Sequence, residues 1–354
     1  MRNVIPSTAR SKMRRRLVVV VALALLSVGV LAGCGGSDEN TSNPPPTTPG
    51  ASPLRVALVT DIGGLNDRGF NALAYRGLKN AEAGLGVEGR VFISKTAADY
   101  VPNLSAAANR GFDLVVAVGF LMADSTAAVA RQFPTTSFAI VDVPAASLEA
   151  KPRNVRGIVF AEQEAGCLAG VAAATVTRTG TISSVGGIKI PPVDAFIAGY
   201  QDCAARVDPG IELLNGYSRD FVAQDKCKEF GLTQIARGSD VVFQVAGGCG
   251  LGALQAAKDR GVWGIGVDND QGFLGPHVLT SAVKKVDVGV RATIELLVND
   301  TFAGGVDGRF DVANGGVGYG RVSKAAPDRA ALIERLDDWS TRLADGAVKP
   351  PRSL

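Results

Sequence analysis

Short apolar runs alternate with longer amphipathic stretches along most of this chain. The short runs are rich in β-branched residues, as buried strands are, and the longer stretches repeat apolar residues at helical spacing. The predicted strands are Arg55–Val59, Arg90–Ser94, Leu114–Val118, Ser137–Val141, Val155–Phe160, Thr181–Val185, Glu212–Tyr217, Val241–Val245, Val262–Val267 and Val278–Ala282. The predicted helices are Phe70–Gly84, Pro102–Gly111, Met122–Gln132, Glu164–Thr177, Asp194–Arg206, Ala223–Ala236, Leu251–Arg260, Val286–Asn299 and Pro327–Ala344.

This alternation predicts the fold class. Apolar strands that alternate with helices are typical of parallel sheets covered by helices on both faces. The pattern occurs twice, which predicts two doubly wound α/β lobes. We place lobe 1 at 54–145, lobe 2 at 146–283, and a return through the hinge at 284–354, with C-terminal helices that pack across the lobes. Ligands of such lobes bind beyond the carboxyl ends of the strands, so the residues that follow each strand are the candidate site.

The N-terminal segment has a different pattern. Basic residues at 10–16 precede an apolar stretch, Leu17–Val30, and small residues then lead to Cys34. This order is typical of the signal segment of an exported protein. The following residues are mostly Pro, Thr, Ser and Asn, so we expect a disordered tether. The predicted boundaries are 1–33 for the signal peptide and 34–53 for the cysteine and the tether.

Charge and histidine content exclude several classes of function. The formal net charge is +3, but the first 33 residues hold six Arg or Lys and no acid, so the rest of the chain carries −3. A mildly acidic body argues against binding to nucleic acid, which needs clustered cations. His277 is the only histidine, which leaves little material for a catalytic triad or a metal site. We predict no catalytic residue, no metal and no cofactor.

Four further cysteines follow Cys34, at positions 167, 203, 227 and 249. An even number in an exported protein permits two disulfides, with three possible pairings. The spacings match no zinc pattern. Buried free thiols are the alternative interpretation.

The residues that follow the predicted strands are rich in carboxylates, glycine and aromatic rings. Carboxylates accept hydrogen bonds from hydroxyl and amino groups, and a lysine can bind vicinal hydroxyls. The set has more acids than bases, so it suits a neutral ligand with hydroxyl groups, such as a sugar joined to a planar base, better than an anion. Asp67, Asp220 and Asp225 are interpreted as helix caps or solvated acids. The strand-end set includes Asp61, Asp67, Phe70, Asn71, Phe120, Asp124, Asp142, Asp220, Phe221, Gly248, Asp268 and Lys284.

Six motifs follow one another along the body. They are VTDIGGLNDRGFN at 59–71, KTAADYVPNLSAAANRGFDLVVAVGFLMAD at 95–124, FAIVD at 138–142, VVFQVAGGCGLGALQAA at 241–257, VWGIGVDNDQ at 262–271 and VLTSAVKKVDVGV at 278–290. In this order they resemble the basic membrane protein family of substrate-binding lipoproteins, whose best-understood branch is the purine nucleoside receptor A-like proteins. The Leu-Ala-Gly-Cys sequence that ends at Cys34 resembles the lipobox of bacterial lipoproteins.

The resemblance implies a type I periplasmic-binding-protein fold, in which two doubly wound parallel-sheet lobes joined by a hinge close on a nucleoside for an ABC importer. It also implies a lipid anchor on Cys34, a position on the extracytoplasmic side of the cell membrane, and a permease as partner. We expect a monomer that is not an enzyme. The alternatives are a ligand-sensing surface receptor with the same fold for another small polar solute, and an exported nucleoside hydrolase.

The same resemblance assigns roles in lobe 1. Asp61 and Asn71 match positions associated with the edge of the base, and Phe70 matches an aromatic residue that stacks on the base. Asp142 matches an acid with the same role as Asp61, and Asp124 competes with it for that role.

Roles in lobe 2 follow in the same way. Phe243 is expected to be the opposing aromatic, and Gly248 to approach the sugar through its backbone. Asp268 and Lys284 match the acid and the lysine that hold the ribose hydroxyls. The predicted ligand-binding residues are Asp61, Phe70, Asn71, Asp142, Phe243, Gly248, Asp268 and Lys284, with Asp124 and Phe120 as further candidates.

Two motifs depart from the family pattern. Cys249 and Leu251 stand where the family usually has a Thr and then a polar residue. Asn66 stands where an acid is common, and Arg68-Gly69 stand where a Lys-Ser pair is common. Both departures bear on the identity of the ligand more than on the fold.

Overall fold

Two six-stranded sheets organise residues 52–354, the part of the chain that the computed structural model describes. The predicted signal peptide, lipobox cysteine and most of the tether lie outside these residues. The strands are β1 (Arg55–Val59), β2 (Glu88–Phe92), β3 (Leu114–Ala117), β4 (Ser137–Val141), β5 (Val155–Phe160), β6 (Thr181–Gly186), β7 (Glu212–Tyr217), β8 (Val241–Val245), β9 (Trp263–Asp268), β10 (Val278–Lys284), β11 (Asp307–Phe310) and β12 (Val317–Tyr319).

Nine longer helices accompany these strands in the described part of the chain. They are α1 (Phe70–Leu85), α2 (Tyr100–Asn109), α3 (Ala123–Gln132), α4 (Glu162–Val176), α5 (Pro191–Val207), α6 (Gln224–Ala236), α7 (Gly250–Arg260), α8 (Val286–Val298) and α9 (Arg329–Ala344). Among residues 52–354, no helix combines the length and the apolar character needed to span a membrane.

The two sheets repeat one topology. The first has the order β11-β5-β4-β3-β1-β2, and the second has the order β12-β10-β9-β8-β6-β7. All pairs are parallel except β10 with β12. The central strands are apolar and fully buried, as in Leu114–Ala117, because helices cover both faces of each sheet. The fold class predicted from the sequence is therefore confirmed.

The position of β5 corrects the predicted lobe boundary at 145/146. This strand pairs with β4, so that Val141 lies opposite Ile158, and it belongs to the first sheet rather than to lobe 2. The loop at 142–154, which contains no long helix, joins the two strands, and an apolar strand pattern does not specify which sheet the strand joins. The chain therefore passes from lobe 1 to lobe 2 at the start of α4, at Glu162.

The C-terminal region is shared between the lobes. α8 packs on α1, and β11, which the apolar pattern did not predict, extends the first sheet beside β5. β12 then joins the second sheet beside β10, and α9 packs on α4. The chain thus crosses between the lobes three times, after β5, after β10 and between β11 and β12.

Two disulfides join neighbouring helices of lobe 2. Cys167 of α4 is bonded to Cys203 of α5, and Cys227 of α6 is bonded to Cys249, which precedes α7. This is one of the three pairings that the sequence left open.

Candidate ligand-binding site between the lobes

A cavity lies where the carboxyl ends of the two sheets face each other. Its polar wall is formed by Asp61, Asp67, Asn71, Asp142, Asp268 and Lys284, and its apolar wall by Phe70, Phe120, Leu121, Ile190, Pro192, Val193, Phe196, Phe221, Val245 and Val267. Four carboxylates and one cation line this space, which disfavours an anionic ligand.

The loop between β1 and α1 is held by a buried network around Asn71. The Asn71 Nδ2 group donates to Asp61 Oδ1 at 2.7 Å and to Asp67 Oδ2 at 3.1 Å. Asn71 Oδ1 accepts from the backbone N–H of Asp61 at 3.2 Å. Both N–H donors of this amide are therefore used within the protein, so Asn71 orients the two acids.

Asp67 is both a helix cap and part of the cavity wall. Its carboxylate accepts the backbone N–H groups of Gly69 at 3.0 Å, Asn71 at 2.7 Å and Ala72 at 3.1 Å. These bonds satisfy the free donors of Asn71 and Ala72 in the first turn of α1, and that of Gly69 before it. The sequence prediction of a cap is confirmed, and the side chain is buried rather than solvated.

Asp61 keeps one oxygen free for a ligand. Its Oδ1 accepts from Gly63 N–H at 2.9 Å and from Asn71, whereas no hydrogen bond from residues 52–354 reaches Oδ2. Burial raises the pKa of Asp61 to about 6, against the lowering effect of the hydrogen bonds from Asn71 and Gly63. A side chain at Gly119 would press on Oδ2 and on the Phe70 ring, because its Cβ would lie 3.2 Å from both.

Lys284 stands at the centre of three buried carboxylates. Its Nζ lies 2.8 Å from Asp142 Oδ2, 3.8 Å from Asp268 Oδ1 and 3.8 Å from Glu162 Oε1. Burial alone lowers the pKa of Lys284, but Asp142, Asp268 and Glu162 outweigh it and raise that pKa above its ordinary value. Burial also raises the pKa of Asp268 and of Glu162 to about 7, although Lys284 lowers both.

Aromatic rings complete the surroundings of this ammonium group. Lys284 Nζ lies 4.8 Å from the ring centre of Phe70, 5.6 Å from that of Phe160 and 5.4 Å from that of Phe196. Cations within about 6 Å of a ring centre are attracted by its negative face. The lysine is thus fixed by charge and by rings from both lobes.

Asp142 and Asp268 occupy equivalent positions at the ends of β4 and β9. Both have left-handed backbones, with φ of 68° and 62°. Asp and Asn adopt this conformation more readily than other non-glycine residues, yet it remains uncommon. The turn brings both carboxylates to Lys284. Asp142 Oδ1 is buried and has no hydrogen-bond partner among the described residues.

Comparison with known proteins identifies the family. A model for the Bmp family, described as ABC transporter substrate-binding protein PnrA-like, matches residues 54–338. The chain belongs to this family. It is therefore a substrate-binding protein of an ABC transporter, for which a solute is the ligand and a permease is the partner.

Individual relatives and a solved structure are also similar to this chain over most of its length. An ABC transporter nucleoside-binding protein of Lactococcus lactis subsp. cremoris is 34% identical, over 96% of this chain and 99% of the relative. An uncharacterized lipoprotein of Pyrococcus furiosus is 32% identical, over 87% of this chain and 78% of the relative. The crystal structure of an ABC transporter solute-binding protein from Aeropyrum pernix has a TM-score of 0.76 at 25% identity, over 84% of this chain and 93% of the other.

Most of the residues that the sequence predicts to bind the ligand line the cavity between the lobes. The predicted residues that line it are Asp61, Phe70, Asn71, Phe120, Asp142, Gly248, Asp268 and Lys284. Asp124 does not line it and faces a neighbouring groove together with Arg352. Of the two acids considered for one role, Asp142 is therefore the one placed at the cavity.

The prediction for Phe243 is wrong. This ring is fully buried inside β8 and packs against Tyr200, with ring centres 5.0 Å apart, and against Phe196, at 6.4 Å. It lies before the end of the strand, on the side covered by α5, so it belongs to the core. Phe196 and Phe221 provide rings on the lobe 2 wall instead.

Two further residues were missed by sequence reasoning. Glu162 lies two residues beyond the end of β5, so the strand-end rule applies to it, but the strand-end set does not include it and the predicted helix begins only at Glu164. Phe196 lies inside α5, where apolar spacing indicated only core packing. Cys249, one of the departures from the family pattern, is fully buried in its disulfide and does not line the cavity.

Proposed function

We propose that this protein captures a nucleoside, with a purine base, between its lobes and delivers it to the permease. The observation that carries the proposal is that one cavity is lined by two kinds of group, which we assign to two zones of the ligand. Aromatic rings and the free oxygen of Asp61 form one zone, and the Lys284–Asp268 pair forms the other. A flat base with N–H groups suits the first, and a sugar suits the second.

The sugar zone depends on a gap between unlike charges. Lys284 Nζ and Asp268 Oδ1 are 3.8 Å apart, which is too long for a hydrogen bond. A hydroxyl group that lies beside both, at about 2.8 Å from each, accepts from the ammonium and donates to the carboxylate. Vicinal hydroxyls of a ribose would use both groups at once.

The base zone combines stacking with one directional contact. Phe70 offers a ring from lobe 1, and Phe196 and Phe221 offer rings from lobe 2. Asp61 Oδ2 accepts an N–H group of the base, while Asn71 holds the carboxylate in place through Oδ1. The excess of carboxylates around the cavity disfavours a phosphate, which favours a nucleoside over a nucleotide.

The proposal also covers the location of the protein, its oligomeric state and the absence of a chemical reaction. The leader that ends at Cys34 supports lipid attachment there and a position on the extracytoplasmic face of the membrane, and the lipoprotein name of the Pyrococcus relative agrees. We infer a monomer that binds its ligand without chemical change. Release of free base from radiolabelled nucleoside would overturn the last point.

Calorimetry tests the assignment directly. Residues 52–354, which form one compact unit, are titrated with adenosine, guanosine, inosine, cytidine and ribose. We expect heat with the purine nucleosides, and Asp268→Ala should weaken their binding by about 1–3 kcal/mol because it leaves Lys284 without this partner. Asp259→Ala, at an exposed ion pair on α7, is the matched control. Absence of both heat and a thermal shift with every nucleoside would refute the proposal.

A further inference from the structure

Glu162 contacts Lys284 from the neighbouring groove that Asp124 and Arg352 also line. It is the first residue of α4, where the chain first crosses between the lobes, and it is only 2% exposed. Its Oε1 lies 3.8 Å from Lys284 Nζ, yet the residue does not line the ligand cavity. The direct contacts of a ligand therefore do not explain why an acid is buried here.

Arg352, near the C-terminus, meets the other oxygen of Glu162. Its Nη2 donates to Glu162 Oε2 at 3.3 Å and to the backbone carbonyl of Phe160 at 3.0 Å. The Arg352 side chain is half-exposed, so it brings a solvated cation to a buried acid. Burial raises the pKa of Glu162 to about 7, whereas Lys284 and Arg352 lower it. The charge of Arg352 therefore favours the ionised form of this acid.

Charges of alternating sign thus run from the cavity to the surface, in the order Asp268, Lys284, Glu162 and Arg352. Lys284 lies at equal distances of 3.8 Å from Glu162 and Asp268, while Asp142 holds it at 2.8 Å. Attraction to Glu162 opposes attraction to Asp268. If Glu162 lost its charge, the ammonium would move toward Asp268 and form a direct ion pair at about 2.8 Å.

We propose that Glu162, held in place by Arg352, is a positioning residue that keeps Lys284 apart from Asp268, so that a ligand hydroxyl can bridge the two charged groups. The C-terminal tail then takes part in ligand selection without touching the ligand. The role of the hydroxyl rests on the proposed function, whereas the spacing of Lys284 does not.

Crystal structures without ligand test the spacing. Glu162→Gln and Arg352→Gln are compared with the unchanged protein, and the measured quantity is the distance from Lys284 Nζ to Asp268 Oδ1. We expect it to shorten to hydrogen-bond length in Glu162→Gln. An unchanged distance in both variants would overturn the proposal. Arg352→Gln keeps the test usable if Glu162→Gln does not fold, because the Arg352 side chain is half-exposed.

Binding to the full chain tests the consequence. Both variants should weaken the binding of a purine ribonucleoside by about two- to 150-fold, the range of coupling between groups in one network, and leave the binding of the free purine base unchanged. The double variant should bind no worse than Glu162→Gln alone, because Arg352 acts through Glu162. Lys349→Gln, which removes a neighbouring exposed cation, is the matched control and should bind as the unchanged protein does.

The outcomes separate this inference from the proposed function. An equal loss for ribonucleoside and free base, or a full effect of Arg352→Gln in the Glu162→Gln background, would contradict the spacing role. If the unchanged protein binds no nucleoside, the proposed function fails, and the crystallographic distance alone decides whether Glu162 spaces Lys284.

Discussion

The two lobes share one strand order but present different chemistry to the cavity. In lobe 1 the loop after β1 carries Asp61, Asp67 and Asn71, which bond to one another and to the backbone. In lobe 2 the equivalent segment, after β6, presents Ile190 and, in the first turn of α5, Pro192. At this pair of equivalent segments the repeated fold thus provides a polar side and an apolar side, which suits a ligand that has a flat apolar face and a polar edge.

The ends of β4 and β9 are more alike than these loops, but their acids differ in distance from Lys284. Asp142 ends β4 in lobe 1 and Asp268 ends β9 in lobe 2, both with a left-handed backbone. Asp142 bonds Lys284 directly, whereas Asp268 remains 3.8 Å away. Lobe 1 therefore anchors the lysine, and lobe 2 leaves space for a ligand.

The lobes also differ in covalent bonding. Both disulfides lie in lobe 2, and none of the cysteines in residues 52–354 lies in lobe 1. The α4–α5 pair is packed closely enough that a Cβ at Gly199 would lie 1.9 Å from the Gln163 carbonyl. We infer that lobe 2 is the more stable lobe and that lobe 1 depends on its polar loop.

Removal of the α4–α5 disulfide should have the largest effect on this difference. Cys167 and Cys203 are 36 residues apart, so replacing both with Ala should lower the free energy of unfolding by about 4 kcal/mol on the chain-entropy model. Urea unfolding with hydrogen exchange measures the loss and its location. The Cys227–Cys249 bridge closes 22 residues, so its removal should lower stability slightly less. If the amides of lobe 1 lost their protection from hydrogen exchange before those of lobe 2 in this variant, the disulfide would not be what stabilises lobe 2.

Much of this comparison was predictable from the sequence. The bounds of β1, β4 and β7 follow from short apolar runs between polar loops, and the structure has them at the predicted residues. Asp61, Asp268 and Lys284 meet because the carboxyl ends of parallel strands face the cavity. These features depend on local pattern and on one rule of topology.

The rest depends on packing that local pattern does not encode. β11 and β12 are four and three residues long and contain glycine, so their apolar signal is weak. The side of the strand on which Phe243 lies depends on which helix covers it. Arg352 reaches Glu162 only because the tail folds back across 190 residues of sequence. Each of these contacts is set by the tertiary fold.

Asn71→Ala should have the next largest effect, and it tests the polar loop of lobe 1. The substitution leaves the Asp61 N–H and two buried carboxylates without this partner, which should cost about 2 kcal/mol. Urea unfolding measures it. Ile190→Ala, at the equivalent loop of lobe 2, should cost about 1 kcal/mol because only part of that side chain is buried. An equal or larger loss at Ile190 would remove the distinction between the two loops.

The smallest expected effect is a pH dependence of the ligand-free protein. The pKa of Asp61 is raised to about 6, and those of Glu162 and Asp268 to about 7, chiefly by burial. The folded state therefore binds more protons than the unfolded state between about pH 4 and pH 7. This stability is fully present below the unfolded values near pH 4 and is lost as the pH rises through 6 to 7.

Between pH 5 and pH 7.5 the free energy of unfolding should fall by about 1–2 kcal/mol, a small value because the acids titrate as a coupled group. Asp61→Asn should flatten the lower part of this change and Asp268→Asn the upper part, because lobe 1 holds the acid with the lower pKa. Urea unfolding at each pH measures both slopes.

A ligand that donates to these carboxylates favours their charged forms, so its affinity should rise over the same range as stability falls. Stability that rose with pH in the ligand-free protein would show that these acids are ionised well below pH 6, and it would remove the difference between the two lobes in acidity.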